Sequence, residues 1–212
     1  MRFLSLHRRW YFSLFLCLFT VASIAWYAVT QERHYRHLYV VKPGVLYRSG
    51  QLTKKGLERV LYENNIGTLI NLRSPDSNKT DKSDSWEEEL CFKSFVRFVS
   101  IPFRPADHPK SLSMSETHQI IDEAADRFLE ILSDPVSYPR PILIHCLAGV
   151  HRTGLMVALY RIEKEGWSKD QAIDEMKQRG YTAFVSDDPL CQFIVNWTPI
   201  KERKVGSHLV SP

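Results

Sequence analysis

Hydrophobic and polar positions divide the chain into unlike stretches. Trp10 to Val29 (WYFSLFLCLFTVASIAWYAV) is a mainly apolar run of 20 residues without a charge. At about 1.5 Å per residue it is long enough to cross a hydrocarbon core about 30 Å thick. Trp10-Tyr11 and Trp26-Tyr27 at its ends suit the two interfaces. The run exceeds the roughly 7–15 residues of a signal-peptide core, so it predicts one uncleaved transmembrane helix; Ser23-Ile24-Ala25 keeps a cleaved signal peptide as the alternative. Residues 31–42 (QERHYRHLYVVK) read as a juxtamembrane linker, with His34 and His37 as solvated residues.

From Pro43 onward, short apolar runs alternate with amphipathic ones. Strands are predicted at Val45–Arg48, Thr68–Leu72, Arg97–Phe103 and Pro141–His145. Helices are predicted at Thr53–Asn64, Trp86–Phe95, Ser113–Leu132, Arg152–Glu165, Ser168–Arg179 and Asp188–Trp197. Two of these open on capping boxes, Ser113-Met-Ser-Glu116 and Ser168-Lys-Asp-Gln171. Gly67 and Gly166 read as stops, and Ser74–Lys82 as a loop. Strands separated by helices predict an α/β domain with a central, mostly parallel sheet flanked by helices. The expected organisation is an N-terminal membrane anchor over 1–30 with its transmembrane helix at 10–29, the linker over 31–42, a catalytic domain over 43–200 and a tail over 201–212.

Composition changes this picture little, but charge placement matters. Hydrophobic residues make up 44% and charged residues 25%, which excludes a disordered chain and a polytopic membrane protein. The net charge is +4, and the first 30 residues hold three arginines and no acid. The excess is thus mostly a membrane flank, and nucleic acid is not expected as a partner. Arg2, Arg8 and Arg9 before the run nearly balance Arg33, Arg36 and Lys42 after it. The Arg8-Arg9 pair tips the expectation towards a single-pass protein with its N-terminus inside and its domain on the non-cytoplasmic side.

The chemistry concentrates in Pro141 to Gly154, PILIHCLAGVHRTG. A buried strand enters this loop and a helix leaves it, so backbone N–H groups and the helix dipole converge on one centre. Cys146 and Arg152 stand as C-x5-R. Arg152 brings a planar fork matched to phosphate oxygens, and the same field favours a thiolate on Cys146. Thr153 is expected to hydrogen-bond the sulfur, and His145 to orient the loop. The backbone amides of Leu147, Ala148, Gly149, Val150 and His151 are expected to bind substrate, with Gly149 allowing close approach or a positive φ. Cys91 and Cys191 read as core residues, with a resolving thiol or a Cys91–Cys191 disulfide as alternatives. No metal site is expected.

The string His145-Cys146-x-x-Gly149-x-x-Arg152-Thr153-Gly154 resembles the signature of the cysteine-dependent protein tyrosine phosphatase superfamily, in its compact dual-specificity branch. Tyr47-Arg-Ser-Gly-Gln51, Ile70-Asn-Leu-Arg73, Leu159-Tyr-Arg161 and Gly166-Trp-Ser168 also look like the bacterial and fungal members of that branch. The resemblance covers roughly residues 43–197. It implies a phosphatase fold, no cofactor, and a two-step phosphoryl transfer through a cysteinyl-phosphate on Cys146. It also implies a general acid on a loop after a strand. Asp107, in RPADHPKS, is the candidate and Asp76 the second; Arg104 is either a phosphate contact or a surface charge. Leu147 and Val150 leave only His151 to add positive charge within the loop, which suits a single phosphate. The expected substrates are phosphotyrosine, phosphoserine or phosphothreonine of proteins, or a small phosphoester. An inositol phosphate is a lesser alternative, and a phosphate-binding module without turnover is the rival reading.

Overall fold

A computed structural model describes residues 3–74, 85–103, 114–182 and 188–200. Its sheet is mixed. Four parallel strands, β2 (Leu46–Ser49), β3 (Thr68–Asn71), β4 (Arg97–Ser100) and β5 (Ile142–His145), are joined at one edge by an antiparallel β1 (Tyr39–Lys42). The order is β1-β2-β5-β3-β4. β3 and β5 are buried at every position, as strands covered on both faces must be. The linker expected over 31–42 therefore ends as a strand. β1 buries only Val41 and is broken by a register shift between Val40 and Lys42, so it leaves no periodic pattern to read.

Alternation along the strands separates two cores. Leu46, Ile70, Ile142 and Ile144 face α4 (Met114–Ser133), α5 (His151–Glu165), α6 (Lys169–Gln178) and α7 (Pro189–Asn196). Leu69 and Leu143, with Tyr47 and Phe98 against them, face α2 (Lys54–Glu63) and α3 (Ser85–Lys93). The parallel strands all end on one edge of the sheet, where the loop after β5 lies.

Local chemistry sets most helix boundaries. Thr53 caps α2, Ser168 and Gln171 form the expected capping box of α6, and Asp188 caps α7 ahead of Pro189. Ser113 lies outside the described residues. α5 closes on Gly166 in the left-handed region. The chain leaves α2 differently from the expected stop at Gly67. The turn is made by Asn65, at φ 48°, while Gly67 admits a close neighbour: a Cβ there would lie 2.6 Å from the Pro139 carbonyl oxygen.

Ahead of the domain, α1 (Phe3–His34) is a single helix of 32 residues. Its stretch Trp10–Tyr27 is long and apolar enough to cross a membrane, and none of it is buried against the rest of the protein.

One ion-pair network ties three elements together. Arg161 of α5 donates through Nε and Nη2 to the Glu175 carboxylate of α6, at 3.0 and 2.9 Å. Its Nη1 donates to Glu165 and to the Val41 carbonyl of β1, and the guanidinium lies 4.5 Å above the Trp167 ring. The three charged side chains are only 11–16% exposed, so losing the arginine strands the Glu175 carboxylate and takes from Glu165 its nearer partner, leaving Lys42 at 3.7 Å. Arg161→Ala is expected to lower the unfolding free energy by about 2–4 kcal/mol, read as a fall in the midpoint of urea denaturation.

Candidate active site

The site is built by residues 146–150, which turn back between the end of β5 and the start of α5. A peptide plane that points its N–H into a cradle points its carbonyl out, and each outward carbonyl needs a donor. Four successive carbonyls have one. Leu147 O accepts from Gln51 N at 3.1 Å and Val150 O from Gly154 N at 2.9 Å. Gly149 O accepts from Arg48 Nη2 at 2.7 Å. Ala148 O is 2.6 Å from His37 Nδ1.

Inside the turn, Gly149 N donates to Cys146 Sγ at 3.2 Å. Gly149 takes φ 76°, and a Cβ on it would sit 2.4 Å from Gly50 N. Only glycine meets both demands. Cys146 is buried at the N-terminal end of α5, whose N-cap Val150 supplies no side-chain hydrogen bond. The first turn of that helix is thus left to favour negative charge. Arg152 is held across the loop by the carbonyls at its margin: Nη1 donates to Leu72 O at 3.0 Å and to Phe103 O at 3.3 Å.

The other expected site residues divide. Thr153 does not take the role assigned to it: its Oγ1 is buried with no partner among the described residues. The sulfur takes the Gly149 N–H instead, because the left-handed turn swings that group over it. His145 is buried beneath the loop; its Nε2 lies 3.4 Å from Glu87 Oε2, which also accepts from Asn71 Nδ2 at 2.9 Å. The His151 ring packs edge-on against Tyr181 at 4.8 Å, and Leu147 is half exposed at the rim. Asp107, Asp76 and Arg104 lie outside the described residues.

Three residues with parts in the site carry no role in the sequence reading. Arg48 is 2% exposed, and beyond its bond to Gly149 O its Nε and Nη1 have no partner among the described residues. Burial pushes its guanidinium down, while the Glu175 carboxylate, and after it Cys146, pull it up. Glu87 is 1% exposed on α3, and His37 belongs to the segment read as solvated linker. A charged residue inside a short strand is the signal that points to Arg48; Glu87 stands in the acidic run Glu87-Glu88-Glu89, so nothing in the sequence pattern singles it out, and nothing marks His37.

The cysteines are all free. Cys91 and Cys191 belong to cores on opposite faces of the sheet, so the alternative disulfide between them is not formed. Cys191 Sγ is instead 3.6 Å from the Tyr181 hydroxyl.

A mostly parallel sheet with a C-x5-R loop between its central strand and a helix defines the cysteine-dependent protein tyrosine phosphatase superfamily, in its dual-specificity-like branch. Comparison with known proteins narrows this. The family model described as "DSP-PTPase phosphatase fused to NAD+ Kinase" matches residues 21–188, and the chain belongs to that family. It is 49% identical to the dual specificity protein phosphatase TpbA of Pseudomonas aeruginosa over 41 residues, 19% of each chain. It is 28% identical to the triple specificity protein phosphatase PtpB of Mycobacterium tuberculosis over 143 residues, 64% of this chain and 50% of that protein. The matches thus span a fifth to a half of these relatives' lengths. In fold, it is similar to the core catalytic domain of the PP-IP phosphatase SIW14 from S. cerevisiae. The TM-score is 0.56 at 20% identity, covering 82% of this chain and 92% of that one.

Two outcomes follow from the geometry. Gly149→Ala forces a Cβ into the Ser49–Gly50 backbone and is expected to weaken tungstate binding at least about tenfold by calorimetry. The Cys91 thiol, desolvated and set near Glu87 and Glu88, is pushed up to about 12. The unfolded chain releases that proton near about 8.5, so the contribution of Cys91 to stability is intact below that pH and is lost as pH rises towards the folded value. Denaturation midpoints measured from pH 8 to 11 should fall less steeply in Cys91→Ala.

Proposed function

We propose that the chain is a membrane-anchored phosphatase that hydrolyses phosphomonoesters through a cysteinyl-phosphate. The observation that carries this is the Cys146 sulfur, capped by Gly149 N–H and seated at the uncapped start of α5, with Arg152 held across the loop. Cys146 thiolate attacks phosphorus, an S–P bond forms and the P–O bond to the leaving group breaks. Arg152 and the loop amides hold the equatorial oxygens while charge builds on them. The departing oxygen takes a proton from Asp107. Water then attacks phosphorus, gives its proton to the Asp107 carboxylate and breaks the S–P bond, releasing inorganic phosphate.

The contact between Arg152 and Phe103 O supports Asp107 as the acid, because Asp107 stands four positions after Phe103 and extended chain reaches about 14 Å over that distance. Leu147 at the rim and Val150 in the loop favour a single phosphate on a protein side chain or a small ester, where a polyanion would call for added cations. The unburied Trp10–Tyr27 stretch of α1 supports an anchor, with residues 1–30 as the membrane segment and the catalytic domain beginning near residue 43. The Arg8-Arg9 flank favours that domain on the non-cytoplasmic side.

The test is p-nitrophenyl phosphate hydrolysis by the full chain in detergent against pH. Cys146→Ser is expected to abolish turnover. Asp107→Asn is expected to lower kcat by about 10²–10⁴ and to remove the loss of rate at high pH. Phosphate-analogue binding by a wild type that turns nothing over would favour the binding module instead.

A further inference from the structure

We infer that His37 is a positioning residue of the phosphate loop, supplied by the segment that joins α1 to the sheet. The inference rests on Cys146 being the nucleophile.

The starting observation is a close distance across 111 residues of sequence: His37 Nδ1 lies 2.6 Å from Ala148 O. A carbonyl only accepts, so Nδ1 carries the proton. The same peptide unit bears the Gly149 N–H that caps Cys146 Sγ. Donor, peptide and sulfur thus form one line, from Nδ1–H to the Ala148 carbonyl and from the Gly149 N–H to the sulfur. A donor on the carbonyl has two effects. It polarises the amide and strengthens the N–H bond to a thiolate. It also opposes a flip of the peptide plane, which would turn the carbonyl oxygen onto the sulfur.

Arg48 does the corresponding work one peptide later and from inside, on Gly149 O. His37 is exposed and works from outside. The loop is therefore gripped on two successive carbonyls from opposite sides.

The segment around His37 is built to present it. His37 holds φ 50°, an uncommon region for a residue with a Cβ. Such a conformation is disfavoured for a residue with a Cβ and persists where its surroundings hold it. They do so here: Arg36 O accepts from Gly50 N at 2.7 Å, and Leu38 N donates to Tyr35 O at 2.9 Å. A Cβ on Gly50 would meet Ala148 O at 2.9 Å and the Arg36 side chain at 3.1 Å. The linker, the Ser49–Gln51 turn and the phosphate loop are thus stacked in backbone contact. Tyr35 and Leu38 anchor the same segment against the core under α2. None of this depends on whether α1 stays attached, because residues 35–38 follow the apolar stretch.

The experiment compares His37→Ala, His37→Asn and His37→Gln in the full chain in detergent. An asparagine amide occupies the place of Nδ1; a glutamine amide falls nearer Nε2. His37→Ala and His37→Gln are expected to lower kcat/KM for p-nitrophenyl phosphate about three- to tenfold, with His37→Asn within about twofold of wild type. Iodoacetamide alkylation of Cys146 at pH 5.5, followed on its peptide by mass spectrometry, should slow in the same order. Thermal melting by circular dichroism identifies any variant that has lost its fold. Should alanine fail to fold, the asparagine–glutamine pair decides. Wild-type kinetics in His37→Ala, or equal losses in the asparagine and glutamine variants, would overturn the inference. Turnover that persists in Cys146→Ser would instead overturn the nucleophile assignment on which it rests.

Discussion

A peptide group has two ends, and this fold is organised around that constraint. A loop that turns its N–H groups towards an anion must turn its carbonyls outward, into protein, where each buried oxygen needs a donor. Here the donors come from four different places: the Ser49–Gln51 turn, the first turn of α5, the guanidinium of Arg48 and the ring of His37. Each donor has its own structural requirement. β2 must lie beside β5 for Arg48 to reach Gly149, and the antiparallel β1 must lie beside β2 to bring residues 36–38 back over the same edge. Gly50 and Gly149 are glycines because two backbones meet there with no room for a Cβ.

Charge is managed by the same means. Arg48 is buried without a bidentate carboxylate, a costly arrangement if the cation served only stability. Its position beneath Cys146 fits the proposed chemistry: Glu175 is the first charge that offsets the burial, and a nucleophilic sulfur at Cys146 would be another. Glu175 in turn is shared with Arg161, so the network joining α5, α6 and β1 reaches the underside of the loop. Structural and functional electrostatics are continuous in this protein.

What could be read from the chain follows from how local the physics is. Periodicity and capping chemistry gave the central strands and most helices, because Ile142–His145 and Ser168–Gln171 carry their instructions within a few residues. The Cys146–Arg152 loop was legible because its residue types and spacing are themselves the chemistry. β1 was not, since four residues with one buried side chain carry no period. The hydrogen bond to Cys146 Sγ comes from Gly149 N rather than from the expected Thr153 hydroxyl, a matter of backbone dihedral that residue identity does not show. Arg48, Glu87 and His37 escaped for one reason: their partners lie far away in sequence or across the sheet, and only the closed fold brings them together.

That closure has a kinetic side. The bonds that orient the loop span 101 and 111 residues, about half the chain. Contacts of such separation repay the entropy of loop closure only when the intervening strands are paired, so they form late in folding. During synthesis, β2 and the segment before it leave the ribosome roughly a hundred residues ahead of the loop they will brace. Until then the cysteine is an unremarkable side chain at the end of a strand. The setting that the proposed nucleophile needs therefore comes with the completed sheet, and an unfinished chain lacks both braces of the loop.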